Sequence, residues 1–401
     1  MALPRLRPAL DAYPVRLNGR DLIAVRDPEG VAEKPVLLSP QTFFVALLLD
    51  GTRDVLDVQA EYARRSGGTL LFSWDLQRIV EDLDRHGLLE SETLRARREA
   101  IDREFRASPV RAPFHAGTAY PAEAGALRRI LAEYLAGVAQ DELANLEPRG
   151  IVAPHIDLAR GGWCYGWAYA ALARRLPQTC FLLGVAHSAP PAPVVLTTKP
   201  FVTPLGAIPV DHEAVAQLQD RLGDLTVHEV IHRTEHSLEF QVLFLQAIGQ
   251  DRPPAIVPLL VSPLEQWVPA GESPRRVDVV ERVIQALRDV ATARSGASAV
   301  VAAVDFSHVG PRFGDAEPPS VALAARTSAR DREVLEAIIL GDAEAFWASV
   351  TAGGNPQRID ALSAVYVTLR VLEPVRGRLL RYGTAEDPAG GIVSFASLAL
   401  L

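Results

Sequence analysis

Four apolar runs constrain this chain more than any other feature. Residues 179–187 (TCFLLGVAH) and 297–305 (ASAVVAAVD) are almost unbroken in apolar side chains, and 150–156 (GIVAPHI) and 255–261 (AIVPLLV) are shorter runs of the same kind. A strand with one wet face alternates polar and apolar residues. A strand without alternation must be covered on both faces, as in parallel sheets with helices above and below. Helical segments separate the runs: an alanine-rich one at 162–176, then 213–222, a strongly amphipathic 236–248 (HSLEFQVLFLQAI), 276–293, 319–340, 342–350 and 358–372. A short strand at 194–198 and two final strands at 377–382 and 391–398 complete the pattern. From residue 113 onward this alternation predicts an α/β domain: a central, mostly parallel sheet flanked by helices.

The first 110 residues read differently. Residues 14–25 (PVRLNGRDLIAV) alternate around Asn18-Gly19, which predicts a hairpin. Ser39-Pro40 supplies an N-cap and first helical position for an apolar helix to Leu49, closed by Asp50-Gly51. Thr52 opens a second helix, 55–65, and a third, 74–85, ends at His86-Gly87. Helices of this size with short strands predict a small α+β, winged-helix-like module. A charged, helix-prone connector, 91–112, leads to Pro113. We place the boundary near residue 110, giving domains of 1–110 and 113–401; 401 residues are ample for two cores.

Composition removes several classes of function. The formal net charge is −8, and no basic recognition helix is present, which argues against nucleic acid as a partner. No apolar run is long enough to span a bilayer, and the N-terminus lacks the apolar core of a signal peptide, so no membrane partner is expected and the protein reads as cytoplasmic. Cys164 and Cys180 both lie in apolar surroundings, as small buried hydrophobes would in a reducing compartment. There is no CxxC pair, no phosphate-binding glycine motif and no GxSxG elbow.

The histidines carry the chemistry. His155 ends the run GIVAPH, His187 ends FLLGVAH, and Asp305 and His308 end AVVAAVDFSH. In open α/β sheets ligands bind just outside the carboxyl ends of the strands. Three strands therefore deliver imidazoles and a carboxylate to one sheet edge. A single such histidine is more often a hydrogen-bonded loop residue, but three together point to a metal or a general acid–base site. Thr234 or Glu235 can cap the helix that follows, which puts His236 in its first turn, where the dipole favours neutral imidazole. Glu239 lies three residues on, on a nearby face. His236, Glu239 and His308 are the candidate catalytic groups. His228 and His232, one helical turn apart, could chelate but read better as exposed loop residues, and the stretch after His115 reads as a turn entering a helix. Ser188 and Ser307 each adjoin a histidine, which is not in itself a hydrogen bond.

In order and spacing, HAGTAYPAEAGAL, IVAPHIDLARGGWCYGWAYAAL, FLLGVAHS, TEHSLEFQVLFLQ, IVPLLVS and VAAVDFSHVG resemble the Memo-like family, over about residues 113–401. The resemblance implies a fold related to class III extradiol dioxygenases, the non-haem iron enzymes that open catechol-type rings. It implies a cleft that binds metal through two histidines, here His155 and His187, and a cysteine, with a further cleft histidine at His236. The cysteine position is Ser307 in this chain, a poor ligand for a transition metal. Asp305 or His308 turned inward would restore a ligand set for Fe(II) or another divalent transition metal, so His155, His187, Asp305 and Ser307 are the candidate metal positions. Asp157 and Leu158 stand where many members have Gly and Tyr, and Ala119 where they have Trp; Asp157 is either an extra acid near the cleft or a turn residue. The resemblance leaves two functions open: a metal-dependent, dioxygenase-like enzyme, or a non-catalytic adaptor with a degenerate site. Bacterial members accompany a radical SAM protein in the AmmeMemoRadiSam set, as its protein B. Residues 1–110 resemble PqqD-like modules, which implies a peptide or a radical SAM system protein as partner.

Overall fold

A computed structural model describes residues 2–32, 34–294, 297–387 and 389–401. The chain divides into two compact units, Met1–Ser108 and Pro109–Leu401.

In the first unit, β1 (Arg5–Leu6) is followed by the hairpin of β2 (Asp11–Leu17) and β3 (Arg20–Arg26). Asn18 and Gly19 both take positive φ, 51° and 75°, as a two-residue primed turn requires. β4 (Val36–Leu38) pairs with β3 to complete a three-stranded antiparallel sheet. Ser39 caps α1 (Pro40–Leu48) with proline in its first turn. α2 (Val55–Arg65) opens on a reciprocal capping box between Asp54 and Asp57, so Asp54 and not Thr52 is the cap. α3 (Ser73–Arg85), β5 (Leu89–Glu90), which pairs with β1, and α4 (Glu92–Ala107) complete the unit. Buried Arg7 is its polar centre. Its guanidinium donates to both Asp27 oxygens, at 2.8 Å each, and to the Gly87 carbonyl at 2.7 Å.

The second unit opens with α5 (Ala124–Ala136) and then alternates: β6 (Gly150–Ala153), α6 (Leu158–Ala173), β7 (Thr179–Val185), β8 (Val194–Leu196). A small hairpin of β9 (Phe201–Thr203) and β10 (Gly206–Ile208) precedes α7 (His212–Leu222) and α8 (His236–Gly249). Then come β11 (Ala255–Val261), α9 (Asp278–Thr292), β12 (Ser298–Ala303) and β13 (His308–Val309). Three helices, α10 (Val321–Leu340), α11 (Ala343–Thr351) and α12 (Ala361–Leu372), lead to the closing strands β14 (Gly377–Asp387) and β15 (Gly391–Leu400).

The central strands run in the order β6, β12, β7, β11, all parallel. Antiparallel strands finish both sides, β8 beside β11 and β15 beside β6. β14 lines one edge of β15, and β13 shares the other with β6. All seven residues of β7 are buried, which is why its sequence shows no alternation. α5, α6 and α8 form one helical layer, with α6 on β6 and β15 and α8 on β7; α9 and α12 pack together on β12. The fold is thus the expected α/β type, parallel at its centre. α6 begins four residues earlier than the alanine-rich stretch suggests. Its N-cap is Asp157, whose carboxylate accepts from the Arg160 amide at 3.1 Å and pairs with the Arg160 side chain, so this acid serves the helix end.

Candidate metal centre

Parallel strands present their carboxyl ends at one edge. β12 lies between β6 and β7, so the residues leaving these three strands are neighbours. His155 follows β6 by two residues, His187 follows β7 by two, and Asp305 follows β12 by two. The third imidazole comes from α8. Its N-cap, Glu235, accepts from the Ser237 amide at 3.0 Å, which starts the helix at His236. Gly184 in β7 permits this: a Cβ there would meet the Ser237 hydroxyl at 2.5 Å and Leu238 at 2.7 Å. Only a residue without a side chain lets the first turn of α8 lie this close to the strand.

His155, His187 and His236 each offer one nitrogen within 4.8 Å of the others. Their ring centroids are 5.1, 5.0 and 4.9 Å apart. His155 Nδ1 donates to the Ala303 carbonyl at 3.2 Å, which turns Nε2 toward Asp360 and Asp305. His187 Nδ1 lies 2.9 Å from Glu235, and His236 Nδ1 lies 3.3 Å from the same carboxylate. One acid thus orients two rings. An imidazole whose outer nitrogen donates to a carboxylate or carbonyl is fixed in tautomer and made a better donor to metal. The donor set suits a divalent transition ion: three imidazoles converge and their outer nitrogens are engaged.

The charges follow from the packing. Burial would push His155 down, but the Asp360 and Asp305 carboxylates outweigh it and raise it to about 10. His155 Nε2 lies 3.1 Å from Asp360 and 3.7 Å from Asp305. Burial would raise Glu235, yet His187, His236 and the Ser237 amide hold it well below the usual carboxylate range. Burial lowers His236 well below its ordinary value against the pull of Glu235, while in His187 the Glu235 carboxylate prevails over burial and raises it. Burial thus keeps His236 neutral.

The other candidates take different places. Asp305 is buried and accepts the His155 backbone N–H at 3.1 Å, so it fixes the loop that carries His155. Ser307 is fully buried: its hydroxyl donates to Asp331 at 2.5 Å, and its amide donates to the Ser394 hydroxyl. None of these bonds goes to the three imidazoles. Glu239 is fully buried and accepts from Arg111, Tyr120 and the amides of Phe114 and His115. It ties the segment 111–120 to α8 and is saturated by donors, which leaves no oxygen for a proton-transfer role. His308 sits on β13, its Nδ1 2.9 Å from the Phe306 carbonyl and its Nε2 3.8 Å from Asp360. His232 differs from the expected exposed loop residue. It is buried, and its Nε2 donates to the Val195 carbonyl at 3.1 Å.

Sequence reasoning missed Asp360 as a member of the cleft and gave Glu235 only a capping role. Asp360 follows a glycine-rich loop 52 residues beyond His308, and no strand end announces it. Glu235 stands directly before the histidine of EHS, and an acid at an N-cap was the available signal.

The sequence model of the family described as Memo-like protein matches residues 111–399. A MEMO1 family protein of Aquifex aeolicus is 31% identical over 384 residues, covering 94% of this chain and 96% of its own length. Another, of Thermus thermophilus, is 32% identical over 352 residues, 87% of this chain and 99% of its own. A third, of Methanopyrus kandleri, is 26% identical over 301 residues, 72% of this chain and 98% of its own. The Aquifex match leaves about 6% of 401 residues, about 24, outside it, so it takes in most of the first unit's 108. With the family match spanning the second unit and relatives above 30% identity running nearly end to end, the chain belongs to the Memo-like family.

Proposed function

We propose that the second unit is a divalent-metal protein whose cleft, related to that of non-haem iron dioxygenases, holds Fe(II) or a similar ion through His155, His187 and His236. The observation behind this reading is the convergence of three imidazoles from separate elements, with the outer nitrogens of His187 and His236 beside one carboxylate. A bound ion would supply Lewis acidity toward an oxygen donor of a substrate. The chain's own groups do the remainder. Glu235 holds the rings in register, and His115, its Nε2 donating to the Thr234 carbonyl at 2.9 Å, packs edge-on against His236. Asp360 places Oδ2 between His155 and His308, whose imidazoles keep its carboxylate charged. The metal content of protein purified under anaerobic conditions tests the reading. The expected result is one transition ion per chain, lost in His187→Ala. Protein that stays metal-free after incubation with Fe(II), Co(II) or Zn(II) would reject it.

The engagement of Ser307 with Asp331 favours a second reading, a non-catalytic adaptor with a degenerate site, because it takes that hydroxyl out of any ligand set. In either case the partner role of the first unit, toward a peptide or a radical SAM system protein, is a proposal that a pull-down with residues 1–108 deleted would test. Loss of a partner on deletion supports it, and an unchanged set of partners rejects it.

A further inference from the structure

Imidazoles bind metal in their neutral form and bring no negative charge to a dication, and Asp360 sets a carboxylate oxygen beside one of the three. Asp360 is the N-cap residue of α12, yet its side chain makes no capping hydrogen bond. An aspartate at this position normally accepts from the second or third amide of its helix. Here Oδ1 accepts instead from the Asp305 amide at 2.9 Å, which fixes the carboxylate plane. Oδ2 is left 3.1 Å from His155 Nε2, one of the three clustered imidazoles, and 3.8 Å from His308 Nε2. His155 Nε2 is the nitrogen that its Nδ1 contact with Ala303 leaves for a ligand. Two ligands bound about 2.0–2.2 Å from one ion, at angles between a right angle and the tetrahedral angle, stand about 2.8–3.6 Å apart. The separation of Asp360 Oδ2 from His155 Nε2 falls within that range. Asp305 does not: its Oδ2 is 3.7 Å away and its Oδ1 is committed to the His155 amide.

We propose that Asp360 is the anionic metal ligand of this site, completing a set of three histidines and one carboxylate. The inference rests on the metal-site reading above. It assigns to the chain an oxygen donor from the N-terminus of α12, 52 residues beyond the last histidine of the strand-end pattern. A set of histidines with one carboxylate selects hard-to-borderline ions such as Fe(II), Mn(II), Co(II) and Zn(II) over soft Cu(I).

Titration of the full chain with Co(II), followed by its visible d–d absorption, provides the test. Wild type should bind one equivalent. Asp360→Asn should bind it at least about 100-fold more weakly, beyond the 10–100-fold typical of an outer contact, and with a changed spectrum, because an oxygen ligand has left the coordination sphere. Equal affinity and an unchanged spectrum in Asp360→Asn would overturn the assignment and reduce Asp360 to a counter-ion of His155. Failure of wild type itself to bind Co(II) would instead reject the metal-site reading. Should Asp360→Asn not fold, a crystal of Co(II)-loaded wild type decides: Asp360 Oδ2 at about 2.1 Å from the ion supports the inference, and an oxygen left beyond about 3 Å overturns it.

Discussion

At the scale of single residues, the site depends on acids that do not face solvent. Glu235 caps α8 and orients two imidazoles with one carboxylate, so Glu235→Gln should weaken metal binding about 10–100-fold while leaving the ligands in place. Calorimetric titration beside His187→Ala checks this; equal losses in the two variants would mean that Glu235 is more than a support. Glu239 is expected to matter for folding instead. Glu239→Gln leaves the buried Arg111 guanidinium uncompensated and should cost about 3–5 kcal/mol in urea denaturation. His232 makes the pH dependence legible. Burial pulls it down to about 3 against an unfolded value near 6.5. Between these values the unfolded chain takes up a proton that the folded chain refuses, so stability falls as pH drops below about 6.5. Relative to His232→Gln, wild type should lose about 2 kcal/mol more between pH 7 and pH 5; parallel losses would show that the ring does not remain neutral.

Among elements, what could be read in advance was whatever a local rule enforces. The runs of β7 and β12 announce burial on both faces, Asn18-Gly19 announces its hairpin, and Ser39-Pro40 announces the start of α1. His155 and His187 were legible because strand ends in a parallel sheet share an edge, and His236 because an acid precedes it at a helix start. Asp360 was not, since its place depends on how the chain returns from α11 to α12 and on a cap that does not cap. The β9–β10 hairpin was missed as well: its strands have three residues each, too few to show a period. Close approach of α8 to β7 is the element-scale requirement of the site. Gly184→Ala should displace the first turn of α8, cost about 1–3 kcal/mol, and weaken metal binding along with stability. Unfolding curves with and without metal would show it; full affinity in a destabilised variant would separate the helix approach from the site.

Over the whole molecule, the two units have separate hydrophobic cores. The first is held by Arg7, buried between Asp27 and the end of α3, and Arg7→Ala should destabilise residues 2–108 by about 3–5 kcal/mol, seen as faster hydrogen exchange in that unit. Relatives matched over 94% and 87% of this chain extend into this unit, while the Methanopyrus relative, matched over 72%, is accounted for by a span about the length of the second. Among the described residues no helix is long and apolar enough to cross a membrane. The second unit brings distant stretches of sequence to one edge of a parallel sheet, and the metal reading stands or falls there. Calorimetric titration of metal-free protein with Fe(II) under anaerobic conditions is the most direct test. Wild type should show a single saturable site that His155→Ala, His187→Ala and His236→Ala each abolish. Binding that survives all three substitutions, or no binding in wild type, would contradict the convergence of these imidazoles on one ion.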